Sequence, residues 1–353
     1  MSVAIIQNRI KNVRRQLKRK KLDAFLLVHP ANVSYVTGFS GHESWSMITK
    51  NQFYLLTDSR YFEQAQKECP LCTIVQRTET MSRCICKLLN KLKSVKLLAV
   101  EDSISVAGLK SLKKEIKIKM KSISKIIEPF RKIKDKGEVA AIFSAANIAS
   151  KALEKTRSKI KAGISESHLA GMLDLEIRKL GGTTSFETIA AFGANASEPH
   201  YQPANRRLKK NDTMLIDFGA KYKGYCCDIT RCFTVGKATK LYKKAYETVR
   251  RAQEAAIGMV KDGVEISKVD EAARKVAEEA GFPVYGHGTG HGLGLEVHEG
   301  PVLTKKIKGK LEAGMVVTIE PGIYIPGKLG IRIEDNVLVT EKGFKILTKN
   351  CPY

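Results

Sequence analysis

Four acidic residues sit inside hydrophobic strand patterns, and that placement limits what this chain can become. Asp217 interrupts Met214-Leu215-Ile216-Asp217-Phe218-Gly219, and Asp228 follows eleven residues later in Cys227-Asp228-Ile229-Thr230-Arg231. Glu320 ends the run Val316-Val317-Thr318-Ile319, and Glu334 lies within Ile331-Arg332-Ile333-Glu334-Asp335. A hairpin turning at Tyr222-Lys223 pairs Lys221 with Gly224 and, by the same count, sets Asp217 opposite Asp228. A second turn is expected around Pro326-Gly327, between Glu320 and Glu334. Directly opposed residues hold their Cβ atoms about 4.5–5.5 Å apart. Two ionised carboxylates that close repel each other unless a cation lies between them. Any one of these acids alone reads equally well as an edge-strand or exposed residue. Four together, all in apolar settings, ask for a metal.

Histidines point the same way. Only seven occur, and three fall within His287–His298 (HGTGHGLGLEVH), where glycines at 286, 288, 290, 292 and 294 let the backbone bend tightly. His291 is the expected ligand among them, its bland alternative being a buried structural histidine. His200 follows Pro199 after FETIAAFGAN and could reach the same site from another side. Other chemistries lack their signatures: no G-x-G-x-x-G, no G-x-S-x-G and no P-loop occur, and His298-Glu299 is followed by Val302, so H-E-x-x-H is absent. A pocket of four carboxylates and one histidine is rich in oxygen and suits harder ions such as Mn²⁺. Bridging carboxylates would hold two ions about 3.5–4 Å apart with water between them, an arrangement that hydrolyses carbonyl compounds.

The 353 residues are enough for two domains. Ile6, Ile10, Val13 and Leu17 stand at helical spacing, Asp23–His29 reads as a buried strand, and Ser46–Thr57 as two strands around Lys50-Asn51. Helical patterns near residues 60–68, 80–92 and 105–115 alternate with short strands at 72–76 and 95–100, which implies a mixed α/β domain over residues 1–126. The segment 127–137 (IEPFRKIKDKG) reads as a linker. Residues 138–353 start with two long helices, at 137–162 and 165–180, the second capped at Ser165. Two more helices, near 240–260 and 266–280, lie among short strands. Helices and antiparallel hairpins in separate blocks give an α+β fold class. No sequence repeat of 20–50 residues is visible.

The formal charge of +25 is uneven: residues 1–136 hold 28 Lys/Arg against 11 Asp/Glu. The lysine-rich stretch 110–136 alternates lysine with Ile and Leu and carries no interleaved aromatics to stack on bases. It reads as a solvated face, and nucleic acid is not an expected partner. No apolar run approaches the roughly 18–20 residues that span a bilayer, and the N-terminus lacks the apolar segment of a signal peptide. A cytoplasmic location is expected, with the eight cysteines reduced. A zinc site from Cys69, Cys72, Cys84 and Cys86 is conceivable, but the second pair is C-x-C, and free thiols are the better reading.

The motifs SFETIAAFG, Pro199-His200, DFGAKYKGYCCDITR, GHGTGHGLGLEVHE, EPGIYIPG and IRIEDNVLVT together resemble the metallopeptidases of pita-bread fold, which include methionine aminopeptidase, aminopeptidase P, prolidase and creatinase. The match spans nearly the whole chain. ANVSYVTGFSG and TDSRYFEQA are similar to the creatinase-type N-terminal domain, which points to the proline-directed branch. The resemblance implies a pita-bread catalytic domain behind a smaller mixed α/β domain. It also implies five ligands (Asp217, Asp228, His291, Glu320 and Glu334) for two divalent ions, with Asp228 and Glu334 bridging. The expected metal is Mn²⁺, with Co²⁺ or Zn²⁺ as alternatives. By the same resemblance Glu320 would also shuttle a proton, His200 and His298 would bind substrate and the developing oxyanion, and His287, Tyr324 and Arg332 would shape the pocket. The expected function is aminopeptidase P activity, release of the first residue from peptides with proline second, by a homodimer. Prolidase activity on Xaa-Pro dipeptides is the alternative. Creatinase-like chemistry, or a basic binding module of the same fold, are weaker readings because the ligand set is full. Glu198 stands where the family commonly has an apolar residue, and Tyr201-Gln202-Pro203 is bulkier than its usual counterpart, so the pocket entrance is expected to differ.

Overall fold

Helix α1 (Val3–Arg19) buries Ile6, Ile10, Val13 and Leu17 along one face, as their spacing predicts. Arg9 is buried with them, its guanidinium lying 3.9 Å over the Tyr35 ring and donating to the Tyr35 carbonyl at 2.8 Å. The computed structural model describes residues 2–353, which divide between Arg131 and Lys132 into two units.

The first unit is a six-stranded mixed sheet. After α1 come β1 (Ala24–Leu27), α2 (Pro30–Thr37), β2 (Trp45–Thr49), β3 (Phe53–Thr57), α3 (Phe62–Glu68), β4 (Thr73–Gln76), α4 (Met81–Lys91), β5 (Leu97–Glu101), α5 (Val106–Glu115), β6 (Lys119–Ile123) and α6 (Glu128–Lys132). The sheet order is β4-β3-β2-β1-β5-β6. Strand β1 is buried throughout and lies parallel to β5 and antiparallel to β2. The lysine-rich stretch is more than a solvated face. Ile118 and Met120 pack onto the core while Lys117, Lys119 and Lys121 stay exposed, a strand alternation along the sheet's outer edge. Lysines on an edge strand discourage pairing with another chain, which gives much of the local charge a structural reason. All eight cysteines are free. Among the described residues no helix is long and apolar enough to cross a membrane.

The second unit opens with a capping box, in which Asp135 and Glu138 satisfy each other's backbone N–H groups at the start of α7 (Lys136–Arg157). Next come α8 (Glu166–Lys179), β7 (Thr183–Thr184), β8 (Ile189–Phe192), a 3₁₀ turn (Gly193–Ser197), β9 (Thr213–Phe218), β10 (Ala220–Tyr222), β11 (Tyr225–Cys226) and β12 (Ile229–Thr234). Helices α9 (Lys240–Gly258) and α10 (Ile266–Glu279) precede β13 (Gly290–Gly292), β14 (Glu299–Leu303), β15 (Val316–Ile319), β16 (Gly322–Ile325), β17 (Leu329–Arg332), β18 (Asp335–Thr340) and β19 (Gly343–Ile346). The α7/α8 pair packs on the sheet β12-β9-β8, and α9/α10 on the sheet β14-β13-β15-β18-β19. This is the α+β unit expected from the sequence.

The two helix pairs are built alike. Gly163 and Gly263 both take positive φ, +97° and +80°, and donate to Leu208 and Leu311 respectively. Helices α8 and α10 then start with Glu166 and Ile266 donating to the Arg206 and Gly309 carbonyls. Gly181 and Gly281 end them, again at positive φ. This period is too long, and too sparsely marked, to show as a short repeat in the sequence.

Candidate metal centre

Strand pairing brings the acids together, though not by the expected register. The turn between β10 and β11 is Lys223-Gly224, both at positive φ (48° and 85°), with Tyr222 paired to Tyr225. Asp217 therefore faces Thr230, not Asp228, across β9 and β12. The slip is two residues, so the side-chain face is preserved and Asp228 becomes a diagonal neighbour of Asp217. The second hairpin turns through Pro326, Gly327 and Lys328 as expected. Ile319 pairs with Asp335 in one ladder and Gly322 with Arg332 in the next. Glu320 and Glu334 occupy the gap between these ladders, across from each other.

Ligand-type atoms of Asp217, Asp228 and Glu334 lie within 4.8 Å of one another, as do those of His291, Glu320 and Glu334, and those of Asp228, His291 and His298. His291 Nε2 stands 3.4 Å from Glu320 Oε1 and 3.6 Å from Asp228 Oδ2. Its Nδ1 is 3.1 Å from the Gly292 carbonyl, which can only accept, so Nδ1 carries the proton and Nε2 presents a lone pair. Burial holds His291 down, at about 4. These short His–carboxylate distances are thus not ion pairs at neutral pH.

The carboxyls shift oppositely. Burial first, then Glu334, Asp217 and Glu320, push Asp228 well above the usual carboxylate range. Burial with Glu320 and Asp217 does the same to Glu334. Burial and Asp217 raise Glu320 to about 7 despite the Arg332 charge. Without a cation, the pocket sheds charge. Asp217 Oδ1, Asp228 Oδ1 and Glu334 Oε1 are buried and have no hydrogen-bond partner. Buried polar atoms are ordinarily satisfied, and three orphaned carboxylate oxygens in one cluster, beside a neutral imidazole, fit divalent cations.

Buried Arg332 organises one wall. It donates to Asp217 Oδ2 at 2.6 Å, Thr230 Oγ1 at 3.1 Å, Tyr324 Oη at 2.8 Å and the Pro199 carbonyl at 3.3 Å. Tyr324 Oη is 3.1 Å from His287 Nε2, whose ring is also held low by burial, at about 4. His298 is exposed, its ring 4.4 Å from that of His291. His200 is exposed too, next to the Pro199 carbonyl that Arg332 grips. The structure thus gathers His200, Asp217, Asp228, His287, His291, His298, Glu320, Tyr324, Arg332 and Glu334 about one pocket.

Supporting residues escaped the sequence reading. Thr230 donates to Glu334 Oε2 at 2.7 Å, and correct register alone would have placed it opposite Asp217. Asn336 clamps both the N–H and the carbonyl of Asp228. Asp270 of α10 accepts from Thr289, while Arg274 holds the Tyr285 and His287 carbonyls, fixing the glycine segment. A Cβ on Gly290 would fall on the Thr318 carbonyl. Gly290→Ala is accordingly expected to destabilise the metal-free protein by about 1–3 kcal/mol, read as a lowered urea midpoint at unchanged slope.

A family model for metallopeptidase family M24 matches residues 140–341, and one for the creatinase/prolidase N-terminal domain matches residues 9–133. The sequence is 34% identical over 349 residues to the Xaa-Pro dipeptidase of Pyrococcus horikoshii, covering 98% of each chain. The fold superposes on the Xaa-Pro dipeptidase of Bacillus anthracis with a TM-score of 0.94 at 34% identity, over 98% of both chains. On the X-Pro aminopeptidase of Thermotoga maritima the TM-score is 0.88 at 35% identity, over 94% of this chain and 97% of that one.

Proposed function

The chain belongs to metallopeptidase family M24, and from that premise we propose that it is an Xaa-Pro dipeptidase, a metal-dependent hydrolase that cuts the bond before proline in dipeptides. The observation that carries the hydrolase reading is the cluster of three orphaned carboxylate oxygens beside the Nε2 of His291. Two overlapping ligand groups share Glu334, which supports a pair of ions held by Asp217, Asp228, His291, Glu320 and Glu334. The all-oxygen and imidazole donor set favours Mn²⁺ over thiophilic ions. Bound ions supply Lewis acidity toward a peptide carbonyl and toward water.

The remaining work falls to side chains. Glu320 is the carboxylate of the set that reaches the open side, its side chain 17% exposed, so it can take a proton and return it to the leaving nitrogen. His200 and His298, both exposed at the same pocket, donate to the substrate carbonyl as negative charge develops there. Arg332 and Thr230 keep Asp217 and Glu334 oriented.

The dipeptidase assignment rests on the relatives of that activity that match along their whole length. Aminopeptidase P action on longer chains, the first expectation from the sequence, stands second, supported by the similar X-Pro aminopeptidase. Hydrolysis of Gly-Pro and of Arg-Pro-Pro, after chelation and then with Mn²⁺, Co²⁺ or Zn²⁺ restored, separates them. Gly-Pro cleavage is expected to return with Mn²⁺ and to exceed that of the tripeptide at least tenfold in kcat/KM, about 1.4 kcal/mol. Preference for the tripeptide selects the second reading; no cleavage with any metal removes both.

A further inference from the structure

A buried carboxylate outside the ligand cluster holds the segment that carries His200. Glu166, fully buried at the first turn of α8, accepts four hydrogen bonds. Phe192 N–H and the Asn195 side-chain amide reach Oε1 at 2.8 and 2.9 Å, and Tyr201 Oη and Ala204 N–H reach Oε2 at 2.9 and 3.3 Å. All four donors are neutral, and all come from residues 192–204. Asn195 also donates to Tyr201 Oη at 2.7 Å, which closes a ring around residues 195–201. From the pocket side the same segment is gripped by Arg332 at the Pro199 carbonyl. Gly330 lies so close to the Ala196 carbonyl that no Cβ fits there.

The fold itself does not ask for this acid. In the second helix pair the matching position is Ile266, which makes the same kind of backbone bond, to Gly309, with an apolar side chain in the core. Burying a carboxylate where isoleucine suffices is expensive unless every acceptor is filled, and here the fillers are the backbone and side chains flanking His200. Tyr201, the bulky departure next to that histidine, supplies one of them.

We infer that Glu166 is a positioning residue that acts through Tyr201 and the segment 192–204 to hold His200 toward the pocket. The inference rests on the reading that His200 acts on substrate, but its first test does not. In ¹⁵N-histidine-labelled protein, the His200 ring signal is assigned by its loss in His200→Ala. Glu166→Gln is expected to shift or broaden that signal and leave His29 and His42 unchanged. Tyr201→Phe, a milder change that removes one donor, is expected to do so to a smaller extent. An unmoved His200 signal in both variants overturns the inference, whether or not any dipeptide is cut.

Kinetics supply the second arm. Glu166→Gln is expected to lower kcat/KM for Gly-Pro about 10–100-fold, as for groups that orient catalytic ones, while calorimetric Mn²⁺ titration gives the wild-type affinity. Placed in a His200→Ala background, it is expected to cost nothing further. Losses that multiply in the double variant would show that Glu166 does not act through His200.

Discussion

Asp228→Asn is expected to abolish hydrolysis and, in the chelated protein, to raise the melting temperature. Asp228 is a shared member of two ligand groups, and its Oδ1 has no protein partner. Loss of its charge should weaken metal binding and reduce kcat/KM by three to four powers of ten, about 4–5.5 kcal/mol of lost charge stabilisation. The backbone should stay in place, because Asn336 holds both the N–H and the carbonyl of residue 228 without using its side chain. In the absence of metal the change removes an acid that burial and three carboxylates already push toward protonation. Asparagine mimics the protonated acid without having to bind a proton, so the apo fold gains. Melting curves in EDTA and in excess Mn²⁺ are expected to cross: the variant higher in EDTA, the wild type higher in Mn²⁺. A variant that retains metal-dependent cleavage would sink the ligand assignment.

Above pH 6.5 the metal-free protein is expected to lose stability as pH rises, the reverse of what paired surface carboxylates produce. Glu320 is raised on folding from 4.5 to about 7, and Asp228 and Glu334 lie well above their ordinary values. Between ordinary and raised values the folded chain binds more protons than the unfolded one, so stability falls with rising pH. His287 and His291 act oppositely. Lowered from 6.5 to about 4, they favour the folded state increasingly as pH rises through that interval. The two effects offset each other below 6.5, and only the carboxyls remain above it. Urea denaturation in EDTA at pH 6.5, 7.25 and 8 should show a decline of at most about 1.4 kcal/mol per pH unit for each proton released. Saturating Mn²⁺ should abolish the decline, since a cation replaces those protons. A flat profile in EDTA would mean that these carboxyls are not coupled as their burial implies.

Much of this site was legible because polar residues inside apolar strands are hard to explain otherwise. Asp217, Asp228, Glu320 and Glu334 stood out on that ground alone, and the long helices followed from their period. The register error came from turn chemistry. A two-residue hairpin that needs positive φ at both central positions favours glycine at the second, so Lys223-Gly224 should have outranked Tyr222-Lys223. An error of two residues kept the carboxylates on one face, so the four acids were still expected together, while Thr230 was missed. Glu166 was illegible for a different reason. In sequence it is an ordinary first-turn acid behind the Ser165 cap, and its partners lie 26 to 38 residues away. The lysine-rich stretch reads as a solvated face and its Lys117, Lys119 and Lys121 are exposed, but that its alternation makes the edge strand β6 was not foreseen, because only its Ile118 and Met120 side is half buried.

The gap between the two ladders at Glu320 and Glu334 separates what can vary from what cannot. Below it, β15 and β18 belong to a sheet anchored by the α9/α10 core. Above it, β16 and β17 form a two-stranded ribbon, packed through Ile323, Leu329 and Ile331 against β8, β9, β12 and α9, that carries Tyr324 and Arg332 and ends in an exposed tip at Pro326-Gly327-Lys328. Insertions or substitutions at that tip would leave the acids at its root, and Arg332 opposite Gly322, in their places. Over evolutionary time, the tip of such a hairpin can vary in length and sequence without rebuilding the acid cluster beneath it.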